Sequence, residues 1–274
     1  MKFRFLCQSV LLVLLLSVNT LAQAQTRGKN SVAIRGKEQG IYYYPAVGSR
    51  LNRKVLFVPG DGGWRGFAIV VAERMASWGY DVYGLDTNNY LESFSHKSDR
   101  LKETDVMSDF RQLADWINGG SNGRVTLVGW SEGAELCLLA AAASDNKSTF
   151  DGLISFGMGK TGILGWHWID DLTFLTKKDP HEPKFITTPY MPQVTPLPLL
   201  MIQSARDDYV STDEAKGLFG AAHDPKRFAL IEAQDHKFSG NKDEFFGALR
   251  EGLEWIQKAP SGKEKQRPTV VHHD

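Results

Sequence analysis

A serine between two glycines follows one of the apolar segments that predict a buried strand. Residues 129–133 read Gly-Trp-Ser-Glu-Gly, after a predicted strand at residues 125–128 and before a helix rich in Ala and Leu. A sharp strand-to-helix turn of this kind exposes a Ser hydroxyl at the carboxyl edge of a sheet, and it needs glycines because side chains would crowd the turn. Ser131 is therefore the candidate nucleophile, and a structural Ser at a helix start is the alternative.

A nucleophilic Ser needs a base, and the base needs an acid that orients it. Of the seven histidines, only His236 follows the last predicted strand, at residues 228–231, and precedes the last predicted helix. Asp207 follows the preceding strand, at residues 199–202, and the adjacent Asp208 is the competing candidate. The order Ser, Asp, His along the chain is that of α/β-hydrolases. The predicted catalytic residues are Ser131, Asp207 and His236.

Backbone N–H groups are predicted to hold the negative charge of the tetrahedral intermediate. One is the N–H of Glu132, directly after the nucleophile, and the other is the N–H of Asp61. Asp61 lies in the glycine-rich loop of residues 59–66, which follows a predicted strand. A rival interpretation of this loop is a dinucleotide fingerprint with Asp86 as its acid, but Arg65 stands where that motif has its third glycine. No cofactor is predicted.

Three segments together resemble the bacterial VirJ/AcvB-type virulence-associated proteins, which are periplasmic members of the α/β-hydrolase superfamily. They are GDGGW from Gly60, GWSEGAE from Gly129, and the segment Trp166, His167 and Trp168. The resemblance covers about residues 55–256. It implies a periplasmic serine hydrolase, in a family with members associated with hydrolysis of aminoacylated phosphatidylglycerol. This sequence departs from the pattern at Glu132, where such segments often have an apolar or aromatic residue.

The charges near the predicted nucleophile suggest a substrate with a cationic group. An ammonium ion could pair with the carboxylates of Asp61 and Glu132 and lie on a neighbouring indole ring. The alternative is that both carboxylates point into solvent and only their backbone N–H groups matter. The predicted substrate-binding residues are Gly62, Trp64, Trp130 and His167.

The elements that must position these residues alternate short apolar segments with helical patterns. This alternation predicts an α/β fold with a mostly parallel central sheet and helices on both faces. Strands are predicted as an opening hairpin at 31–34 and 41–44, then at 55–58, 82–85, 125–128, 153–156, 199–202 and 228–231. Helices are predicted at 67–78, 132–143 and 244–256, and around the apolar stripe Val106, Phe110, Leu113 and Ile117. Residues 157–198 hold many Pro and aromatic residues without a period, which predicts a short lid or cap.

The two ends of the chain are predicted to lie outside the single hydrolase domain at residues 25–257. Lys2 and Arg4 precede an apolar stretch and an Ala-Gln-Ala pattern that ends at Ala24, which predicts a secretory signal peptide at residues 1–24. The apolar stretch is too short for a single-pass anchor, the alternative. Residues 258–274 are rich in Lys, Glu, Pro and Ser and predict a disordered tail. His272 and His273 could bind a metal ion, but they are interpreted as part of the disordered tail, so no metal site is predicted.

Composition excludes some partners and leaves others open. Lys plus Arg and Asp plus Glu both count 32, so there is no basic excess to neutralise nucleic-acid phosphates. The predicted partner is a small-molecule or lipid ester, with peripheral membrane contact in the lipid case. A peptidase or lipase could use the same residues, and a non-catalytic periplasmic binding or scaffold protein is the alternative of a different class.

Overall fold

The computed structural model describes residues 27–95, 100–165 and 183–259. The predicted signal peptide and tail lie outside the described residues. So does the middle of the predicted lid, which contains His167 and its two neighbouring tryptophans.

Ten strands in the described ranges form two sheets. The strands are β1 (Gly28–Ile34), β2 (Lys37–Tyr44), β3 (Arg53–Val58), β4 (Tyr80–Leu85), β5 (Val125–Trp130), β6 (Phe150–Phe156), β7 (Thr161–Ile163), β8 (Lys184–Ile186), β9 (Leu199–Ser204) and β10 (Lys226–Ile231). The main sheet has the order β1-β2-β4-β3-β5-β6-β9-β10. β2 runs antiparallel to β1 and β4, and the other pairs are parallel. β7 and β8 form a separate antiparallel pair.

Six α-helices lie in the described ranges, and the last of them follows the final strand. They are α1 (Phe67–Ser77), α2 (Thr87–Ser93), α3 (Glu103–Asn118), α4 (Glu132–Ala142), α5 (Thr212–Ala221) and α6 (Lys242–Lys258). Short 3-10 turns span Ser144–Asn146, Thr188–Tyr190 and Pro192–Val194. No helix in these ranges is both long and apolar enough to cross a bilayer.

The helices cover the two faces of the main sheet and enclose two apolar cores. α1 and α6 pack on one face, and α3 and α4 pack on the other with part of α2 and α5. The predicted stripe of α3 faces inward, since Val106, Phe110, Leu113 and Ile117 are all buried. Every residue of β5 is buried, as expected for a central parallel strand covered on both faces. The central strand therefore carries the turn that follows it on a rigid support.

The predicted sheet is confirmed: each predicted strand lies within or on an observed one, and the opening hairpin forms the antiparallel edge. The four predicted helices are also observed, while α2, α5 and the β7–β8 pair were not predicted. The described flanks of the predicted lid belong to the body of the domain, because Met191, Val194 and Leu197 are buried in the core that includes α4. The lid itself remains a prediction for residues outside the described ranges.

Candidate active site

The turn between β5 and α4 holds Ser131 in a strained conformation. Its φ is 53° and its ψ is −131°, a region that costs a non-glycine residue about 1–3 kcal/mol. Both flanking glycines are required by packing. A Cβ at Gly129 would lie 2.4 Å from Cα of Ala134, and a Cβ at Gly133 would lie 2.1 Å from the carbonyl oxygen of Val58. The backbone of the turn is therefore fixed against both α4 and β3.

Asp207 and His236 form a buried pair at the same edge of the sheet. Oδ2 of Asp207 lies 2.7 Å from Nδ1 of His236, and the Asp207 side chain is fully buried. Oδ1 of Asp207 accepts hydrogen bonds from the backbone N–H groups of Tyr209 and Val210, at 2.9 and 3.0 Å. Asp208 is exposed. Between the two candidate acids, the structure therefore pairs Asp207 with the histidine.

The Asp207 carboxyl is held in its charged form. Burial raises its pKa, but the hydrogen bond and charge of His236 and the two backbone donors outweigh burial and leave the pKa below its ordinary value. A carboxylate that accepts a hydrogen bond from Nδ1 fixes the orientation of the imidazole and favours the tautomer with its proton on Nδ1. Among the described residues, Nε2 has no hydrogen-bond partner although it is buried. It is the nitrogen left to exchange a proton.

The end of β6 joins the turn at residues 129–133, called the nucleophile turn after the predicted role of Ser131, to His236. The carbonyl oxygen of Phe156 accepts a hydrogen bond of 3.0 Å from the N–H of Ser131. The next residue, Gly157, lies against the ring of His236. Trp130 and Tyr209 also pack on this ring, with centroid distances of 5.6 and 5.1 Å. The orientation of His236 is thus set by packing as well as by its hydrogen bond.

The glycine-rich loop lies against the nucleophile turn, as the sequence predicted. A Cβ at Gly60 would lie 3.0 Å from Cβ of Ser131 and 3.0 Å from Oε2 of Glu132. The N–H of Asp61 donates a hydrogen bond of 3.0 Å to the same Oε2. The N–H of Glu132 is at the first position of α4, where helical N–H groups have no carbonyl partner within the helix. The Glu132 side chain therefore points into the site, contrary to the alternative in which it points into solvent.

Helix α2 anchors the glycine-rich loop through residues that the sequence analysis did not assign to the site. The Thr87 hydroxyl donates to the carbonyl oxygen of Pro59, and Nδ2 of Asn88 donates to that of Asp61 at 3.1 Å. Asp86 caps α2 and accepts the N–H of Trp64. The sequence signal at this position is Asp86, which the rival dinucleotide motif would use as its acid. Its observed contacts are those of a helix cap.

Two of the predicted substrate-binding residues lie in the apolar core. Trp64 is buried, stacks on Tyr42 with ring centroids 4.9 Å apart, and donates its indole N–H to the hydroxyl of Tyr44. Its ring fills the space over Gly84. Trp130 is also buried, between Phe67, Phe156 and His236. Both rings therefore pack mainly in the apolar core, and a contact between either indole and a cationic substrate stays a prediction. Gly62 is exposed, and a Cβ there would lie 3.7 Å from Nε of the Arg65 side chain.

A pair of acidic residues holds the loop that carries Gly157. The buried carboxyl of Glu135 accepts the N–H of Gly159 at 2.9 Å, and Glu214 accepts the N–H of Lys160 at 2.8 Å. Burial raises the pKa of Glu135 well above its usual range, and the charge of Glu132 raises it further. These side chains connect α4 and α5 to the loop behind His236. No group of acidic, His or Cys side chains in the described ranges is arranged to bind a metal ion.

Comparison with known proteins gives a family match over part of the chain. The family model described as "Bacterial virulence protein (VirJ)" matches residues 52–153, which include the glycine-rich loop and the nucleophile turn. The predicted resemblance is confirmed over that range. The chain is also 23% identical to the uncharacterized protein Rv2307c of Mycobacterium tuberculosis over 209 residues, which are 73% of this chain and 69% of that protein.

Two solved structures illustrate the fold. The esterase domain of a Rhodothermus marinus protein has a TM-score of 0.59 and 15% identity, covering 85% of this chain and 99% of that one. Est1E from Butyrivibrio proteoclasticus has a TM-score of 0.61 and 12% identity, covering 84% and 99%. The predicted α/β-hydrolase fold is therefore confirmed.

Proposed function

We propose that this chain, with its α/β-hydrolase fold and its VirJ-like residues 52–153, is a serine hydrolase that cleaves a carboxylic ester. The observation that carries the proposal is the buried pair of Asp207 and His236. It lies at the sheet edge where Ser131 occupies a strained turn. A structural serine at the start of a helix needs neither the strain nor a histidine whose orientation is fixed by a buried carboxylate.

The proposed reaction has two halves, and His236 acts first as a base and then as an acid in each. Nε2 of His236 takes the proton of Ser131 as its Oγ attacks the ester carbonyl carbon, and Asp207 stabilises the imidazolium. The tetrahedral intermediate collapses, His236 protonates the leaving alkoxide, and an acyl-enzyme remains. Water, deprotonated by His236 as it attacks the acyl-enzyme carbonyl carbon, forms a second tetrahedral intermediate. This intermediate collapses to the free acid as His236 returns the proton to Oγ of Ser131. The N–H groups of Asp61 and Glu132 stabilise the oxyanion in both halves, and each such donor lowers the barrier by roughly 3–4 kcal/mol.

The proposed substrate is an aminoacylated phospholipid. The VirJ resemblance supports this choice, and so does the carboxylate of Glu132, which lies beside the nucleophile turn. A lipid substrate implies peripheral contact with a membrane.

Export by a signal peptide that is cleaved near Ala24, and a periplasmic location, belong to the same proposal. N-terminal sequencing of the protein recovered from a periplasmic fraction tests that part.

A non-catalytic binding protein is the second candidate, and one observation favours it. The N–H of Asp61, one of the two expected oxyanion donors, is occupied by the carboxylate of Glu132. A protein that only binds ligands has no need for an open oxyanion site. A peptidase or lipase that uses the same three residues is the enzymatic alternative, and a comparison of ester, amide and diacylglycerol substrates separates them.

A fluorophosphonate probe tests the proposal directly. The mature wild-type protein, Ser131→Ala and His236→Ala are incubated with the probe, and their intact masses are measured. We expect one adduct on the wild-type protein, none on Ser131→Ala and strongly slowed labelling of His236→Ala. A folded wild-type protein that forms no adduct would contradict the hydrolase proposal and favour the binding protein.

A further inference from the structure

The contact between Glu132 and Asp61 lies where an ester carbonyl oxygen would have to bind. Oε2 of Glu132 accepts the N–H of Asp61 at 3.0 Å. That N–H is the donor predicted for the oxyanion, so a negatively charged oxygen of the protein itself already occupies the position. A substrate carbonyl can reach the donor only when this carboxylate moves away.

Both sides of this contact have fixed backbones. Glu132 begins α4 directly after the strained turn, whose glycines pack against Val58 and Ala134. Asp61 is held by the hydrogen bond from Asn88 to its carbonyl oxygen. Gly60 leaves the space that the carboxylate needs, since a Cβ there would be 3.0 Å from Oε2. The Glu132 side chain can move by rotation about its own bonds, while the backbone N–H of Asp61 stays in place.

The charges around the carboxylate make its displacement unfavourable for a neutral substrate. Burial raises the pKa of Glu135, and the charges of Glu132 and Asp61 raise it further. Partial burial and the charges of Asp61, Asp208 and Glu132 raise the pKa of Tyr209 at the rim of the site. Glu132 thus lies among other acids. When it loses the Asp61 N–H, its charge needs a new partner.

We propose that the side chain of Glu132 gates the oxyanion donor at Asp61 and thereby selects esters with an ammonium group on the α-carbon of the acyl chain. This inference rests on the proposed hydrolase function. In such an ester, the ammonium nitrogen lies about 3 Å from the carbonyl oxygen, because only three bonds separate the two atoms. When that oxygen takes the N–H of Asp61, the ammonium reaches the displaced carboxylate. A neutral acyl group displaces the carboxylate without giving it a partner.

Matched esters test the gate. p-Nitrophenyl alaninate and p-nitrophenyl propionate differ at the α-carbon by the ammonium group, and the β-alanine ester moves that group by one carbon. We expect the wild-type protein to prefer the alaninate in kcat/KM over both other esters. Glu132→Ala opens the donor, so kcat/KM should rise about tenfold for propionate and fall about tenfold for alaninate. Glu132→Gln keeps an acceptor but removes the charge, and it should lose the preference without the full gain on propionate.

Asp208→Asn is the control variant, since it removes an exposed neighbouring charge without touching the Asp61 N–H. It should change the alaninate-to-propionate ratio of kcat/KM far less than Glu132→Ala or Glu132→Gln does. Unchanged kcat/KM for propionate in Glu132→Ala, or an unchanged alaninate-to-propionate ratio, would overturn the gate while leaving the hydrolase proposal intact.

A second measurement does not depend on turnover. The amide resonance of Asp61 in a ¹⁵N-labelled protein should shift in Glu132→Ala and stay in place in Asp208→Asn. If no variant and no wild-type protein forms a fluorophosphonate adduct, the hydrolase proposal fails. An unshifted Asp61 amide in Glu132→Ala would instead refute the contact on which the gate depends.

Discussion

Gly157 and His236 are packed so closely that no side chain fits at position 157. A Cβ there would lie 2.3 Å from Cε1 and 2.9 Å from Nδ1 of the imidazole. Gly157 also has a φ of +60° and follows Phe156, whose carbonyl oxygen binds the N–H of Ser131. One glycine therefore allows the strand beside the nucleophile turn to pass directly behind His236, the proposed base.

Gly157→Ala should abolish most of the activity. The new methyl group must push the imidazole away from Asp207 and Ser131, and we expect kcat/KM to fall at least about a hundredfold. The control is Gly120→Ala, since Gly120 also has a positive φ, +73°, but no atom within 4 Å of the added Cβ. Both variants should lose about 1–2 kcal/mol of stability from backbone strain. Equal activity in the two variants would show that the contact with His236 is unimportant.

Asp207→Asn and Asp208→Asn should separate the two candidate acids. An amide at position 207 cannot hold the imidazolium, so we expect kcat to fall roughly 10³–10⁴-fold. Asp208 is exposed, and its replacement should change kcat less than about threefold. Steady-state kinetics on one ester measure both. A larger loss at position 208 would contradict the pairing of Asp207 with His236.

Thr87→Val should weaken catalysis, although Thr87 is not among the proposed substrate contacts. The change removes the hydroxyl that binds the carbonyl oxygen of Pro59 and leaves that buried oxygen unsatisfied, which costs about 1–2 kcal/mol of stability. Because the glycine-rich loop loses an anchor, kcat should fall about tenfold while KM changes little. Thr87→Ser keeps the hydroxyl and serves as the control. Similar kcat values for the two variants would argue against a positioning role.

Asp109→Asn should change how stability depends on pH. Asp109 is buried and accepts the hydroxyl of Tyr90 from α2, and burial raises its pKa to about 6 from an ordinary value of 3.8. The folded state therefore binds the proton more tightly than the unfolded state, so the wild-type protein loses stability as pH rises from about 4 to 6. Asparagine has no such titration. Relative to wild type, the variant should gain up to about 3 kcal/mol in the free energy of unfolding between pH 4 and pH 7.

Denaturant unfolding at the two pH values measures this difference. Asp115→Asn is the control, since Asp115 lies on the same helix but is exposed, and it should leave the pH dependence as in wild type. A pH-independent difference between Asp109→Asn and wild type would show that Asp109 does not titrate in this range.

The sequence by itself determined the order of the strands along the chain, the main helices and the position of each candidate catalytic residue at the end of a strand. These features are local, because apolar periodicity and the two glycines of the nucleophile turn act within a few residues. Helix α2 was not predicted, since its seven residues, Thr-Asn-Asn-Tyr-Leu-Glu-Ser, are too few to show a helical apolar period.

Only the tertiary structure decided which side chains enter the site. An indole ring suits a binding surface as well as a core. Trp64 is buried because Gly84 leaves room for its ring, and Trp130 is buried because Phe67 and Phe156 pack against it. The choice between Asp207 and Asp208 likewise depends on where the loop after β9 meets His236. Glu132 and Asp61 are 71 positions apart, and their hydrogen bond exists because β3 and β5 are neighbours in the sheet. Contacts of this kind are set by strand order and packing, which no local pattern encodes.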